Sequence, residues 1–104
     1  MTTIVDRRAQ DDEVMFVCDF TPPRGSSPKL LKDAKNIDAD FISVAYSPGK
    51  SVRIGSIFVA HWIKEHTNKE VVFTLATRDM NKLAVQSLLL GGALHGLENL
   101  VVLK

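Results

Sequence analysis

Residues 70–103 read EVVFTLATRDMNKLAVQSLLLGGALHGLENLVVL and contain a strand, a helix and a second strand in succession. The β-branched run at residues 70–75 has the length and composition of a buried strand. Asp79 stands where a helix N-cap is expected, and residues 80–94 carry apolar side chains at helical spacing. The expected apolar side of this helix consists of Leu83, Ala84, Leu88 and Leu89. Residues 99–103 then predict another strand.

An earlier unit of the same kind begins at residue 14. Residues 14–20 form an almost continuously apolar run, which predicts a strand covered on both faces. Pro22 and Pro23 end this strand, because proline cannot donate to a sheet ladder. Ser27 followed by Pro28 predicts the start of a helix that continues to about residue 35.

A third unit lies between these two, with a strand at residues 41–46 and a helix at residues 53–66. The predicted order is therefore βαβαβαβ, which indicates an α/β fold with a parallel sheet flanked by helices. Parallel α/β folds bind ligands beyond the carboxyl ends of their strands. The segments expected to hold functional residues are 19–24, 46–51 and 76–79.

Composition limits the classes of function that this chain can have. Its 104 residues are enough for one domain, and a net charge of +1 gives no field that would favour nucleic acid or an anionic membrane. One cysteine, Cys18, excludes an internal disulfide and any zinc site built from paired cysteines. Residues 1–13 are polar, show no signal-peptide pattern and predict a flexible lead-in. We expect a cytoplasmic protein.

Three motifs are present only in part. Residues 47–51, Ser-Pro-Gly-Lys-Ser, end like a phosphate-binding P-loop, but Val44 stands where the first glycine is required. Residues 91–96 have glycines near dinucleotide-binding spacing, yet they lie late in a helix, where they favour close helix packing. No metal site is expected, because the spacing of the three histidines fits no ligand pattern: His61, His66 and His95.

Three segments together resemble one known family. Residues 18–23, Cys-Asp-Phe-Thr-Pro-Pro, occupy the place of a Phe-Glu-Phe-Phe-Pro-Pro sequence that ends the first strand of that family. Residues 41–51 are similar to its Phe-Val-Ser-Val-Thr-Tyr-Gly-Ala-Gly-Gly-Ser sequence, and residues 77–91 to its Cys-Arg-Asp-Arg-Asn-Arg-Ile-Ala-Leu-Gln-Ser-Asp-Leu-Leu-Gly stretch. This is the methylenetetrahydrofolate reductase family, and the resemblance covers about residues 14–104.

The resemblance implies a (β/α)8 TIM barrel that holds FAD. In the family, a nicotinamide nucleotide or another donor reduces the flavin, which passes a hydride to 5,10-methylenetetrahydrofolate and gives 5-methyltetrahydrofolate. Such a barrel needs about 250 residues, so residues 14–104 are expected to form its first half, as a truncated and inactive fragment. The alternatives are a half-barrel completed by a second chain and a rearranged homo-oligomer.

The resemblance also implies roles for four residues. Asp19 takes the place of the family's glutamate, the acid that protonates the folate ring before hydride arrives. Ala45, Tyr46 and Thr74 take the places of flavin-contacting residues, but Ala45 replaces a threonine and Thr74 replaces a histidine. These departures leave a second hypothesis open, a non-catalytic folate-binding or structural homologue.

Structural roles remain alternatives for the same residues. Asp19 has the position of a carboxylate that caps the turn before Pro22. Asp79 has the position of a helix cap, and Arg78 that of a partner for a neighbouring carboxylate.

Overall fold

The computed structural model describes residues 14–47 and 51–104. The predicted lead-in at residues 1–13, and residues 48–50 of the incomplete P-loop, lie outside the described residues. The elements are β1 (Val17–Phe20), a 3₁₀ helix (Pro28–Asn36), β2 (Phe41–Val44), helix α1 (Ser56–Thr67), β3 (Glu70–Ala76), a 3₁₀ turn (Thr77–Asp79), helix α2 (Lys82–Leu94) and β4 (Asn99–Leu103).

The four strands form one parallel sheet in the order β1-β2-β3-β4. Cys18 pairs with Ile42, Ile42 with Val71, and Phe73 with Leu100. Each strand is therefore beside the next one in the chain, as consecutive strands are in a barrel. The predicted α/β fold with a parallel βαβαβαβ order is confirmed.

One face of the sheet carries the core. Along β3, buried side chains alternate with half-buried ones, because successive side chains of a strand point to opposite faces. The buried set packs against α1, which contributes three side chains with no exposed surface. The central members of this core are Ile42, Val44, Val71, Phe73, Leu75, Val59, Ala60 and Ile63.

The first strand is shorter and more exposed than its apolar sequence predicts. It begins at Val17, and the prediction of a strand from residue 14 that is covered on both faces is wrong. Val14 is 76% exposed and Phe16 67% exposed, since β1 lies at the edge of the sheet and has only β2 as a neighbour. Phe16 is still tied to the chain before β2, because its N–H donates to Asp40 Oδ2 at 2.9 Å.

The first two predicted helices form with shifted boundaries. Ser27 caps the segment that follows it, as predicted, and its Oγ accepts the Lys29 N–H at 3.4 Å, but this segment is a 3₁₀ helix. Helix α1 begins at Ser56 rather than at residue 53, after Gly55 as N-cap. Among the described residues, no helix is long and apolar enough to span a membrane.

The start of α2 corrects another prediction. Asp79 lies in the 3₁₀ turn, and Met80 is extended, so the helix begins at Lys82 with Asn81 as its N-cap. Asn81 Oδ1 accepts the Ala84 N–H at 2.8 Å. Asp79 therefore does not cap the helix.

The packing of α2 also differs from expectation. Leu83 is 79% exposed, whereas Gly92 is buried, and a Cβ at Gly92 would lie 3.1 Å from Ile57 Cδ1. The prediction that the glycines within residues 91–96 favour close helix packing is therefore confirmed at Gly92. The predicted apolar side of the helix is only partly covered, since Leu88 packs on the core and Leu83 does not.

The cap assignment predicts different effects for two nearby substitutions. Asn81→Ala should lower the free energy of unfolding by about 0.5–2 kcal/mol, because the backbone N–H of Ala84 loses its acceptor. Asp79→Ala should lower it by less than Asn81→Ala does, because Asp79 caps no helix and its ion pair with Arg78 is exposed. Urea denaturation followed by circular dichroism measures both, and a larger loss in Asp79→Ala would contradict the assignment.

Candidate functional site

A cleft of about 660 Å³ lies at the carboxyl edge of the sheet, between the loop after β2 and the 3₁₀ turn after β3. This volume is within the range of small-molecule sites. Its location follows from the parallel order, which brings the ends of β2 and β3 to the same edge. The cleft is lined by Tyr46, Ser47, Ser51, Val52, Arg53, Gly55, Arg78, Asp79 and Met80.

Three hydrogen bonds fix one wall of the cleft by joining the loop after β1 to the loop after β2. The Arg53 guanidinium donates from Nη1 to the Pro22 carbonyl at 2.8 Å. The Ile54 N–H donates to the Pro23 carbonyl at 3.0 Å, and Arg24 Nη2 donates to Ser51 Oγ at 2.9 Å. The two prolines that end β1 therefore also supply acceptors, and this wall is held before any ligand arrives.

The opposite wall contains a charged pair beside the only tyrosine. Arg78 Nε lies 3.6 Å from Asp79 Oδ2, so Arg78 pairs with a neighbouring carboxylate. Burial raises the pKa of the Tyr46 phenol above its usual value, and the Asp79 carboxylate raises it further, while Arg78 acts in the opposite direction. Tyr46 therefore remains protonated at neutral pH, and its hydroxyl donates a hydrogen bond to the Asp79 carboxylate.

Asp19 lies at the same edge of the sheet but outside the cleft. It is the penultimate residue of β1 and is exposed. Asp19 pairs with Ser43, Ser43 with Val72, and Val72 with Asn99, so these residues form one row across the sheet. Because side chains alternate along a strand, this row is on the face opposite to the helix-packed core.

Ala45 and Thr74 also lie outside the lining of the cleft. The Ala45 N–H donates to the Phe20 carbonyl at 3.1 Å, and the Thr74 carbonyl accepts Ser56 Oγ at 2.5 Å. Ala45 lies two residues after Ser43, and Thr74 lies two residues after Val72. Because residues two apart on a strand share a face, both side chains are on the same open face as Asp19. Of the four candidate site residues, Tyr46 alone lines the cleft, and the other three share the sheet face beside it.

Sequence reasoning missed Arg53, an arginine that lines the cleft and joins two of its loops. Residue 53 was predicted as the start of a helix and not as a site residue, yet the Arg53 guanidinium is part-buried and hydrogen-bonded to the loop after β1. Its position in a loop after a strand was the available signal. Its contact with Pro22 spans 31 residues and could not be read from local sequence.

The interaction between Tyr46 and Asp79 can be tested by titration, because the chain has one tyrosine. Asp79→Asn should lower the pKa of Tyr46, since it removes the negative charge that disfavours the phenolate. Arg78→Gln should raise it, since it removes a positive charge. Ultraviolet absorbance of the phenolate measures both shifts, and an unchanged pKa in both variants would contradict the described geometry.

Comparison with known proteins gives one result that agrees with this geometry. A family model described as Methylenetetrahydrofolate reductase matches residues 4–104. No curated protein matches the chain. The match spans every described element, and four consecutive parallel strands with intervening helices are consistent with part of a TIM barrel. The chain therefore belongs to the methylenetetrahydrofolate reductase family, whose chemistry is the reduction of a folate in one-carbon metabolism.

Proposed function

We propose that this chain supplies part of the site of a cytoplasmic, flavin-dependent methylenetetrahydrofolate reductase, which converts 5,10-methylenetetrahydrofolate to 5-methyltetrahydrofolate. One observation carries the proposal. The parallel sheet brings Asp19, Tyr46 and Arg78 to a single edge, next to a cleft of small-molecule size. The family match adds the class of chemistry.

Asp19 is the proposed acid. Within residues 14–47 and 51–104, no hydrogen bond or ion pair engages its carboxylate, which counts against a role in capping the turn before Pro22. A carboxyl group on an open sheet face is accessible to a substrate that lies over that face. Its role is to donate a proton to a ring nitrogen of the bound folate, so that the five-membered ring opens and the carbon accepts a hydride.

The residues at this edge fit a flavin. The cleft has the size of a cofactor site, and Ala45 and Thr74 carry small side chains on the sheet face beside it. FAD supplies the hydride when bound, and a nicotinamide nucleotide is the proposed reductant. Tyr46 is the proposed polar contact, through a neutral hydroxyl that Asp79 orients. Ala45 and Thr74 offer fewer polar contacts than threonine and histidine, which weakens binding by about 1–3 kcal/mol.

Residues 14–104 are proposed to be one part of a larger barrel. Both edges of the sheet expose apolar side chains, Phe16 and Val17 at β1 and Val102 and Leu103 at β4. Unpaired apolar edges favour pairing with further strands. These strands come from the same polypeptide, from a second chain or from another copy, and the half-barrel alone is proposed to be inactive.

A non-catalytic folate-binding homologue is the second candidate. The observation that favours it is the side chain of Asp19, which is one methylene, about 1.5 Å, shorter than glutamate. Misplacement near 1 Å can cost about a hundredfold in rate. In this case the protein binds folate without turnover, and Asp19→Glu does not increase turnover.

The catalytic proposal predicts the effect of removing one proton donor. In the active protein that contains this chain, Asp19→Asn should slow the oxidation of reduced flavin by methylenetetrahydrofolate by about 100-fold or more. Asp33→Asn is the matched control, because Asp33 is an exposed carboxylate on the 3₁₀ helix. Stopped-flow absorbance of the flavin measures the rate. Equal rates of flavin oxidation in the two variants would show that Asp19 is not the proton donor.

A further inference from the structure

We propose that helix α2 carries an interface for a second copy of this chain, in which the α2 helices of two copies pack antiparallel about a two-fold axis. This surface lies on the helix-covered side of the sheet, away from the open face that carries Asp19. The proposal goes beyond the reduction proposed above and requires neither flavin nor folate. Three features carry it: an exposed leucine stripe, the charges at its two ends and a pocket beside it.

The leucine stripe consists of Leu83, Leu90 and Leu94, whose exposed fractions are 79%, 75% and 81%. At about 100° of rotation per residue, these three side chains fall within about 40° of one another around the helix axis. Gly92, the buried residue of α2, is about 180° from Leu83, so the stripe faces away from the sheet. Together with Ser87, the leucines follow the alternating spacing of three and four residues found at a and d positions of coiled coils. An exposed apolar stripe of this kind is typical of a protein–protein interface.

Completion of the sheet to a barrel would leave this stripe uncovered. The helices of a barrel form an outer ring, so each helix contacts its neighbours along its two flanks. One flank of α2 adjoins α1, since Ser87 and Gly91 line a pocket together with Ile57. The other flank carries Gln86 and Leu89, where a following helix would pack. The face between the two flanks therefore remains available to another molecule.

The charges around the stripe favour a second copy in the antiparallel orientation. Residues 83–97 include no Asp, Glu, Lys or Arg, so two stripes can meet without burying a formal charge of either sign. Lys82 precedes the stripe and Glu98 follows the end of α2, and both are exposed. Antiparallel packing brings Lys82 of each copy toward the C-terminal end of the other α2, where a positive charge is favourable and Glu98 follows. Parallel packing would bring the two copies of Lys82 together, which is unfavourable.

A pocket beside the stripe supplies a matching recess. It lies between α1 and α2, has a volume of about 140 Å³ and is mostly apolar. A cavity of about 150 Å³ holds a benzene-sized group, so this pocket has room for a leucine side chain. The middle of the stripe falls between Ser87 and Leu90, so antiparallel packing sets Leu90 of one copy opposite Ser87 of the other, which lines the pocket. The same face thus has a projecting leucine and a recess, and one two-fold axis fills both recesses.

Sedimentation equilibrium of the 104-residue chain tests the proposal. One helix pair makes a small interface, so we expect a reversible dimer with a Kd on the order of 10 μM. Leu90→Gln should raise the Kd by about tenfold or more, because it removes an apolar side chain from both halves of the interface. Leu30→Gln is the matched control: Leu30 is also exposed, at 48%, but it lies on the 3₁₀ helix, and the Kd should stay within about twofold.

A charge exchange tests the antiparallel orientation. Antiparallel packing sets Leu83 of one copy opposite Leu94 of the other. Leu83→Lys and Leu94→Glu, made separately, should each raise the Kd by about tenfold or more. The variant with both substitutions has opposite charges facing each other across the axis, and its Kd should be at least about threefold lower than that of either single variant. All these side chains are exposed in the single chain, and circular dichroism verifies that each variant is folded.

A variant at the sheet edge separates this interface from pairing between strands. Val102→Lys places a charge on the exposed edge strand β4, which disfavours edge pairing, and should leave the Kd within about twofold. The proposal is overturned if the wild-type chain remains a monomer up to about 1 mM. It is also overturned if Leu90→Gln associates as tightly as wild type, if Val102→Lys abolishes the dimer, or if the double variant regains no affinity. None of these results depends on turnover, so they leave the proposed reduction to its own test.

Discussion

The parallel hydrogen-bonding of β2, with β1 on one side and β3 on the other, determines where each candidate functional residue lies. Parallel pairing brings the carboxyl ends of the strands to one edge, so the segments after β1, β2 and β3 become neighbours although successive strand ends are 24 and 32 residues apart in sequence. An antiparallel β2 would send Tyr46 to the other edge, away from Arg78. The helix-facing layer that includes Ile42 and Phe73 maintains this pairing by burying one face of the sheet.

The two faces of the sheet differ in what covers them and in the residues they carry. One face is covered by α1 and provides stability, and the other carries Asp19, Ser43 and Thr74 without a helix over it. The charged cleft lies where this open face meets the loops. Arg53 connects these regions, since its guanidinium holds the loop after β1 and its side chain lines the cleft.

Local sequence was sufficient for the order and type of the main elements. The β-branched run at β3 and the apolar runs at β2 and β4 lie where the strands form, and the proline pair ends β1 as expected. The parallel order followed from strands that alternate with helices. The family resemblance added Asp19 and Tyr46, which the structure brings to one edge, although only Tyr46 lines the cleft.

Features that depend on distant contacts were not available from local sequence. Asp79 and Asn81 are both good N-cap residues, and the choice of Asn81 depends on a 3₁₀ turn whose Thr77 hydroxyl donates to the Leu103 carbonyl of β4. The exposure of Leu83 and of Phe16 depends on which neighbours cover α2 and β1. The role of Arg53 depends on Pro22.

The pairing of the strands in solution is the most direct test of the central claim. Inter-strand nuclear Overhauser contacts between backbone protons report which residues lie opposite each other. The account predicts parallel contacts that join Asp19 to Ser43, Ser43 to Val72, and Val72 to Asn99. Antiparallel contacts, or a β1 that shows no contact with β2, would contradict it.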